Sequence, residues 1–149
     1  MPSSSNIFER TIEPGKMVLT FSSVMENIDW ACAEGMAFIS GSTARINPKH
    51  FPLNLVIHEG LTNAVRHGND CDPEKLVCFS VFLEPSCIRI SIEDQGPGFD
   101  WQNKDVSIRK PDMETGRGLW IIREYAHEYA FNPKGNILHL KHKIPPGNM

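Results

Sequence analysis

No apolar run in this 149-residue chain approaches the ~20 residues that a membrane-spanning helix needs, so no spanning helix is expected. The four cysteines, Cys32, Cys71, Cys78 and Cys87, form no C-x-x-C pair and no closely spaced metal-ligand cluster. They read instead as reduced thiols in a reducing compartment. Basic residues do not exceed acidic ones: the net charge is −3, which offers no field for a nucleic-acid backbone. The opening Met1-Pro2-Ser3-Ser4-Ser5-Asn6 lacks a basic stretch followed by an apolar one and does not read as a signal peptide. The expectation is a cytoplasmic protein with no membrane association and no direct nucleic-acid contact.

What is present is ordinary globular composition, with 40% hydrophobic and 22% charged residues, enough for one domain with a core and short for two. Residues 1–15, Ser-rich and ending in Pro14-Gly15, read as an N-terminal extension, either loose or adding an edge strand around Ile7–Ile12. Residues 16–149 read as a single domain. Met17–Phe21 suits a strand, and Ser23-Val24-Met25-Glu26 matches a capping box opening a helix from about Val24 to Ile39. Asn47-Pro48 opens a second helical segment. In it Leu53, Val56, Ile57, Gly60, Leu61, Ala64, Val65 and Gly68 keep helical spacing and form one apolar stripe. Beside that stripe Glu59, Asn63 and His67 stand four apart, which on a regular α-helix aligns them.

Val77–Leu83 and Cys87–Glu93 alternate around Glu84-Pro85-Ser86 and predict an antiparallel hairpin with one face on the core. Phe99–Thr115 has no sustained period and reads as a lid-like loop. Leu119–Ala126 predicts a short helix, and Tyr129–Phe131 with Ile137–Ile144 a last hairpin. The order predicts an α+β two-layer sandwich, a mixed, mostly antiparallel sheet with about three helices on one face.

Three clusters carry chemistry. Glu59 and Asn63, one turn apart, combine a carboxylate that can take a proton from an attacking hydroxyl with an amide oxygen suited to Mg²⁺. Taken alone, the same pair is better explained by a solvated helix face. A zinc reading of His58-Glu59 fails, because H-E-x-x-H needs histidine where Thr62 stands. Asp94-Gln95-Gly96-Pro97-Gly98 follows a strand. Its acid can accept a hydrogen bond from an exocyclic amine such as that of adenine, and its glycines let backbone approach a flat base. A plain turn would use the same residues. Thr115-Gly116-Arg117-Gly118-Leu119 leads into a helix, whose first N–H groups make a ready phosphate site.

In that order and spacing the three are specific. Glu59-Gly60-Leu61-Thr62-Asn63-Ala64-Val65-Arg66-His67-Gly68 resembles the N box of the GHKL ATPases, Asp94–Gly98 their first glycine box and Gly116–Leu119 their second. The wording of the N box and the single-domain length resemble the anti-sigma-factor serine/threonine kinase branch, over roughly residues 16–144. The resemblance implies the Bergerat, histidine-kinase-like ATPase fold, with ATP and Mg²⁺ as cofactors. It implies Glu59 as general base and Asn63 as the Mg²⁺ ligand. It puts Asp94 on the adenine amino group, Gly96 and Gly98 around the base, and His67, Thr115, Gly116, Arg117, Gly118 and Leu119 along the nucleotide. The implied partners are an anti-anti-sigma protein of the STAS type and a sigma factor, and members commonly form homodimers.

There are departures. Glu114 and Thr115 stand where kinase-active members often carry an arginine for the γ-phosphate, leaving Lys104, Arg109, Lys110 or Arg117 as substitutes. Gly135-Asn136-Ile137 replaces the family's Gly-Thr-Thr near the last strand. The resemblance implies serine phosphorylation of the partner, against a non-catalytic, nucleotide-gated binding module; the departures bear on phosphoryl transfer more than on ATP binding. A detached histidine-kinase catalytic domain is a lesser alternative, since no separate dimerisation hairpin with its own acceptor histidine is visible.

Overall fold

The computed structural model describes residues 6–42, 51–98 and 114–144, excluding the side chains of residues 42, 51, 52 and 114–117. β1 (Phe8–Glu13) and β2 (Lys16–Ser22) form a hairpin about Pro14-Gly15, so the strand alternative for the N-terminal segment is the one found. α1 (Met25–Ser42) and α2 (Phe51–Thr62) follow, then β3 (Leu76–Leu83) and β4 (Cys87–Glu93). α3 (Glu114–Tyr125), β5 (Glu128–Phe131) and β6 (Ile137–Lys143) complete the chain. The opening of the second helical segment at Asn47-Pro48, most of the lid-like loop, Lys104, Arg109 and Lys110 lie outside the described residues.

The six strands lie in the order β1-β2-β3-β4-β6-β5, and every pairing is antiparallel, the limiting case of the mostly antiparallel sheet expected. Alternation puts one set of side chains on the helix side, and the register aligns them in rows. Leu19, Phe79, Ile92 and Leu138 are direct neighbours across four strands, as are Met17, Val81, Ile90 and Leu140. All eight are buried. Ile28, Ala31 and Ile39 of α1, Leu53, Val56, Ile57 and Leu61 of α2, and Ile122 of α3 close the core from one side. All four cysteines are free.

The expected capping box is not formed. α1 starts at Met25, and the Ser23 hydroxyl instead donates to Lys75 O at 2.9 Å and accepts from Asn69 Nδ2 at 2.7 Å. Asn69 is fully buried and also donates to Leu76 O at 3.0 Å, while its Oδ1 accepts the Gln95 N–H at 2.7 Å. A short polar network thus ties the start of α1, the exit from α2 and the loop after β4 together. Its members are satisfied, which a buried amide requires.

Among the described residues no helix is long and apolar enough to cross a membrane.

Candidate functional site

α2 does not end as an α-helix. Asn63–Gly68 continue it as a π-helical turn, in which the Asn69 N–H donates to Ala64 O at 2.9 Å, five residues back. Such widened turns concentrate at functional positions. The wider turn breaks the strict four-residue line expected for Glu59, Asn63 and His67. Glu59 faces a groove between α1 and α2, whereas Asn63 and His67 border both that groove and a separate cavity.

The cavity, about 220 Å³, is walled by Ala64 and Gly68 of the π turn, Ile92 of β4, Leu119 of α3, and Phe131 and Leu138 of the last hairpin. Asn63, His67, Asp94 and Asn136 are its polar members, with Gly98 and Gly135 at its edge. Apolar walls with a few aimed polar groups are the usual form of a small-molecule site.

Asp94 is its chemical centre. It follows β4 directly and is only 9% exposed. Burial pushes its carboxyl above the ordinary carboxylate range. The Gly96 N–H and the nearby Lys134 and Lys75 pull the other way, while Glu93 adds to the rise. Oδ1 accepts the Gly96 N–H at 2.9 Å, and Oδ2 has no partner among the described residues. A carboxylate set among largely apolar walls is poorly solvated, and an incoming N–H at the cavity would compensate it.

Two consequences of pH follow, opposite in sign. Because the folded-state pKa is raised, the ionised carboxylate destabilises the free protein. Stability should increase as pH falls through the folded value toward the ordinary one. Affinity for a ligand that donates to the carboxylate should fall over the same window. Thermal melts and binding titrations from neutral to mildly acid pH check this, and Asp94→Asn should flatten both profiles.

The glycines around Asp94 are there for close approach. A Cβ on Gly96 would sit 1.9 Å from Gly68 O, and one on Gly68 would sit 2.3 Å from the Asp94 carboxylate. Gly98, at φ +80, lies under the β5–β6 turn, where a Cβ would meet Lys134 O at 1.9 Å.

The second glycine pair is not the loop expected. α3 begins at Glu114 rather than Leu119, so Thr115, Gly116 and Arg117 lie in its first turn, where N–H groups have no intrahelical partner. The side chains of Thr115 and Arg117 lie outside the described residues. Gly118 is where α3 touches α2. A Cβ there would lie 3.0 Å from Asn63 Oδ1 and 3.2 Å from Glu59 Oε2. Neither Glu59 nor Asn63 has a hydrogen-bond partner among the described residues. The two polar groups therefore wait beside the positive end of a helix, a setting that favours anions.

The residues present suit a nucleotide with Mg²⁺. No group of three or more His, Cys, Asp or Glu among the described residues could cage a metal. Mg²⁺ needs no such cage, since it is usually held by one or two protein oxygens with phosphates and waters, and Asn63 Oδ1 is one hard donor at the right edge of the cavity. Sequence reasoning missed Asn69 and the part played by Asn136. The turn-forming Asn132-Pro133-Lys134-Gly135 was the available signal for the latter.

The profile of the histidine kinase-like ATPase domain matches residues 37–142. An anti-sigma F factor of Bacillus cytotoxicus is 32% identical over 120 residues, covering 76% of this chain and 80% of that protein. An anti-sigma F factor of Geobacillus thermodenitrificans is 29% identical over 136 residues, covering 87% and 92%. Among solved structures, the histidine kinase domain of the blue-light activated histidine kinase of Erythrobacter litoralis superposes with TM-score 0.46 at 20% identity. That match covers 63% of this chain and 43% of the other.

Proposed function

The chain belongs to the histidine kinase-like ATPase family, on the branch of the anti-sigma F factors, and we propose that it is an ATP-binding anti-sigma factor that phosphorylates a serine of a STAS-type anti-anti-sigma partner. The observation that carries the nucleotide reading is the largely buried Asp94 carboxylate on a mainly apolar cavity, with no partner for Oδ2 among the described residues. Adenine offers an exocyclic amine to that oxygen and a flat face to Ile92, Leu119 and Leu138. The phosphates would then lie toward Asn63 and the first turn of α3, with His67 at the border.

In the proposed reaction Asn63 holds Mg²⁺, which when bound neutralises charge on the phosphates. Glu59 stands on the groove side of Asn63, where the partner's serine hydroxyl would approach, and takes its proton as the γ-phosphoryl group is transferred. Separate openings for nucleotide and acceptor suit a transfer between two bound partners. A cytoplasmic location and a homodimer belong to the same proposal, as does contact with a sigma factor.

A second reading has one observation in its favour: Glu114 and Thr115 hold the positions before the second glycine pair where a cation would meet the γ-phosphate. Under that reading ATP gates partner binding and no phosphate moves. Incubation with γ-labelled ATP and a STAS-type partner separates the two. The kinase reading expects label on a partner serine. No label, with tighter partner binding in ATP than in ADP, would assign the gated module instead.

A further inference from the structure

The turn between β5 and β6 is built around two asparagines whose amides have no freedom to rotate. Asn132 Oδ1 accepts three backbone N–H groups, those of Gly135 at 2.9 Å and of Asn136 and Ile137 at 3.0 Å. That fixes its oxygen, so its Nδ2 is the atom facing Asn136 Oδ1 at 2.8 Å. Asn136 Nδ2 is thereby aimed at Asp94 O, an obligate acceptor, at 3.2 Å. The Asn136 carbonyl accepts the Asp94 N–H at 3.0 Å. One residue therefore grips both backbone polar groups of Asp94. Each donor and acceptor in the chain is dictated by the next, so the orientation follows from the network itself.

The same turn is pressed on the glycine loop from outside, through Lys134 O over Gly98. Asn136 also lines the cavity, and its side-chain bonds to Asn132 and Asp94 use one of its two amide hydrogens and one of its two oxygen lone pairs.

We infer that Asn136, oriented by Asn132, is a positioning residue for base selection: it holds the Asp94 backbone so that Oδ2 meets the 6-amino group of the purine. The inference rests on the ATP reading of the cavity. It assigns Asn136 a role through Asp94 rather than through stacking or general packing. A carboxylate held at backbone N–H, backbone C=O and Oδ1 loses the freedom to turn away from a base that cannot donate. A 6-oxo purine then meets an acceptor facing an acceptor. Selectivity comes as much from that mismatch as from the bond made to adenine.

The test is the ratio of dissociation constants for inosine triphosphate and ATP, measured by calorimetric titration of the full chain with Mg²⁺. Wild type should prefer ATP by about 30-fold, the value of one hydrogen bond to a charged acceptor. Asn136→Ala should weaken ATP about 10-fold and leave inosine triphosphate almost unchanged, bringing the ratio to about 3. Equal weakening of both nucleotides would mean that Asn136 only packs the loop, and no change in either constant would remove its role; either overturns the inference. Should the alanine variant not fold, Asn136→Ser, which stays neutral and keeps the backbone carbonyl that accepts the Asp94 N–H, removes the Nδ2 donor to Asp94 O and reads the same ratio. A wild-type protein that binds neither nucleotide would overturn the ATP reading itself, whereas one that binds both equally would overturn the inference alone.

Discussion

Glu59→Gln is expected to cut phosphoryl transfer to the partner serine by about 10²–10⁴-fold, the usual worth of a positioned general base. ATP affinity should stay within about threefold of wild type, because Glu59 opens on the α1–α2 groove and does not line the cavity. The substitution keeps the shape beside Gly118, where Glu59 Oε2 is 3.2 Å from the position of a Cβ, so α3 should stay seated. Transfer of label from γ-labelled ATP and a parallel nucleotide titration read the two quantities separately. Loss of both together would place Glu59 in nucleotide binding. Loss of neither would mean that the transfer does not use Glu59 as its base.

Gly96→Ala is expected to damage fold and site together. Its Cβ would fall 1.9 Å from Gly68 O and 2.7 Å from Gly68 C, which are backbone atoms and cannot rotate away. Relief requires the loop after β4 to move off the end of α2, straining the Gly96 N–H bond to Asp94 Oδ1. Overpacking of this kind costs about 1–3 kcal/mol, or roughly 2–12 °C in melting temperature for a domain of this size. ATP affinity should fall at least about tenfold, because the displaced residues carry the carboxylate that meets the base. Gly41→Ala is the contrast: nothing lies within 4 Å of its Cβ, it sits exposed near the end of α1, and alanine there should be neutral or stabilise by about 0.5–1 kcal/mol.

Much of this architecture is legible in the residues, for reasons that depend on period. The alternation of Ile88, Ile90 and Ile92 and of Val77, Phe79 and Val81 can bury only one face of a hairpin, and those six are buried. The α2 stripe from Leu53 to Val65 likewise selects the core side of its helix. Where period fails, so does the reading. The π turn at Asn63–Gly68 leaves no mark in an apolar pattern, because Ala64 and Val65 are buried under either winding. The early start of α3 runs against the low helix propensity of Gly116 and Gly118. Packing of Gly118 on Asn63 and Glu59 supplies what propensity withholds. Ser23 reads locally as a cap, yet Asn69, 46 residues away, takes its hydroxyl. That competition is tertiary and has no local signature.

The candidate site divides in the same way. Asn63, His67, Asp94, Gly98 and Leu119, singled out by motif, meet in one cavity, while Glu59 lies next to it on the groove. Asn136 stood out in the sequence only as a departure from a familiar pattern. Its grip on both backbone polar groups of Asp94 depends on a five-residue turn folding back over the end of β4, which spacing alone does not disclose.

The most direct measurement of the central claim is a crystal structure of the chain with a non-hydrolysable ATP analogue and Mg²⁺. The account predicts the adenine amine on Asp94 Oδ2, the metal on Asn63 Oδ1, the phosphates against the first turn of α3, and Glu59 open to the α1–α2 groove. A nucleotide bound elsewhere, or a base seated without contact to Asp94, would contradict it.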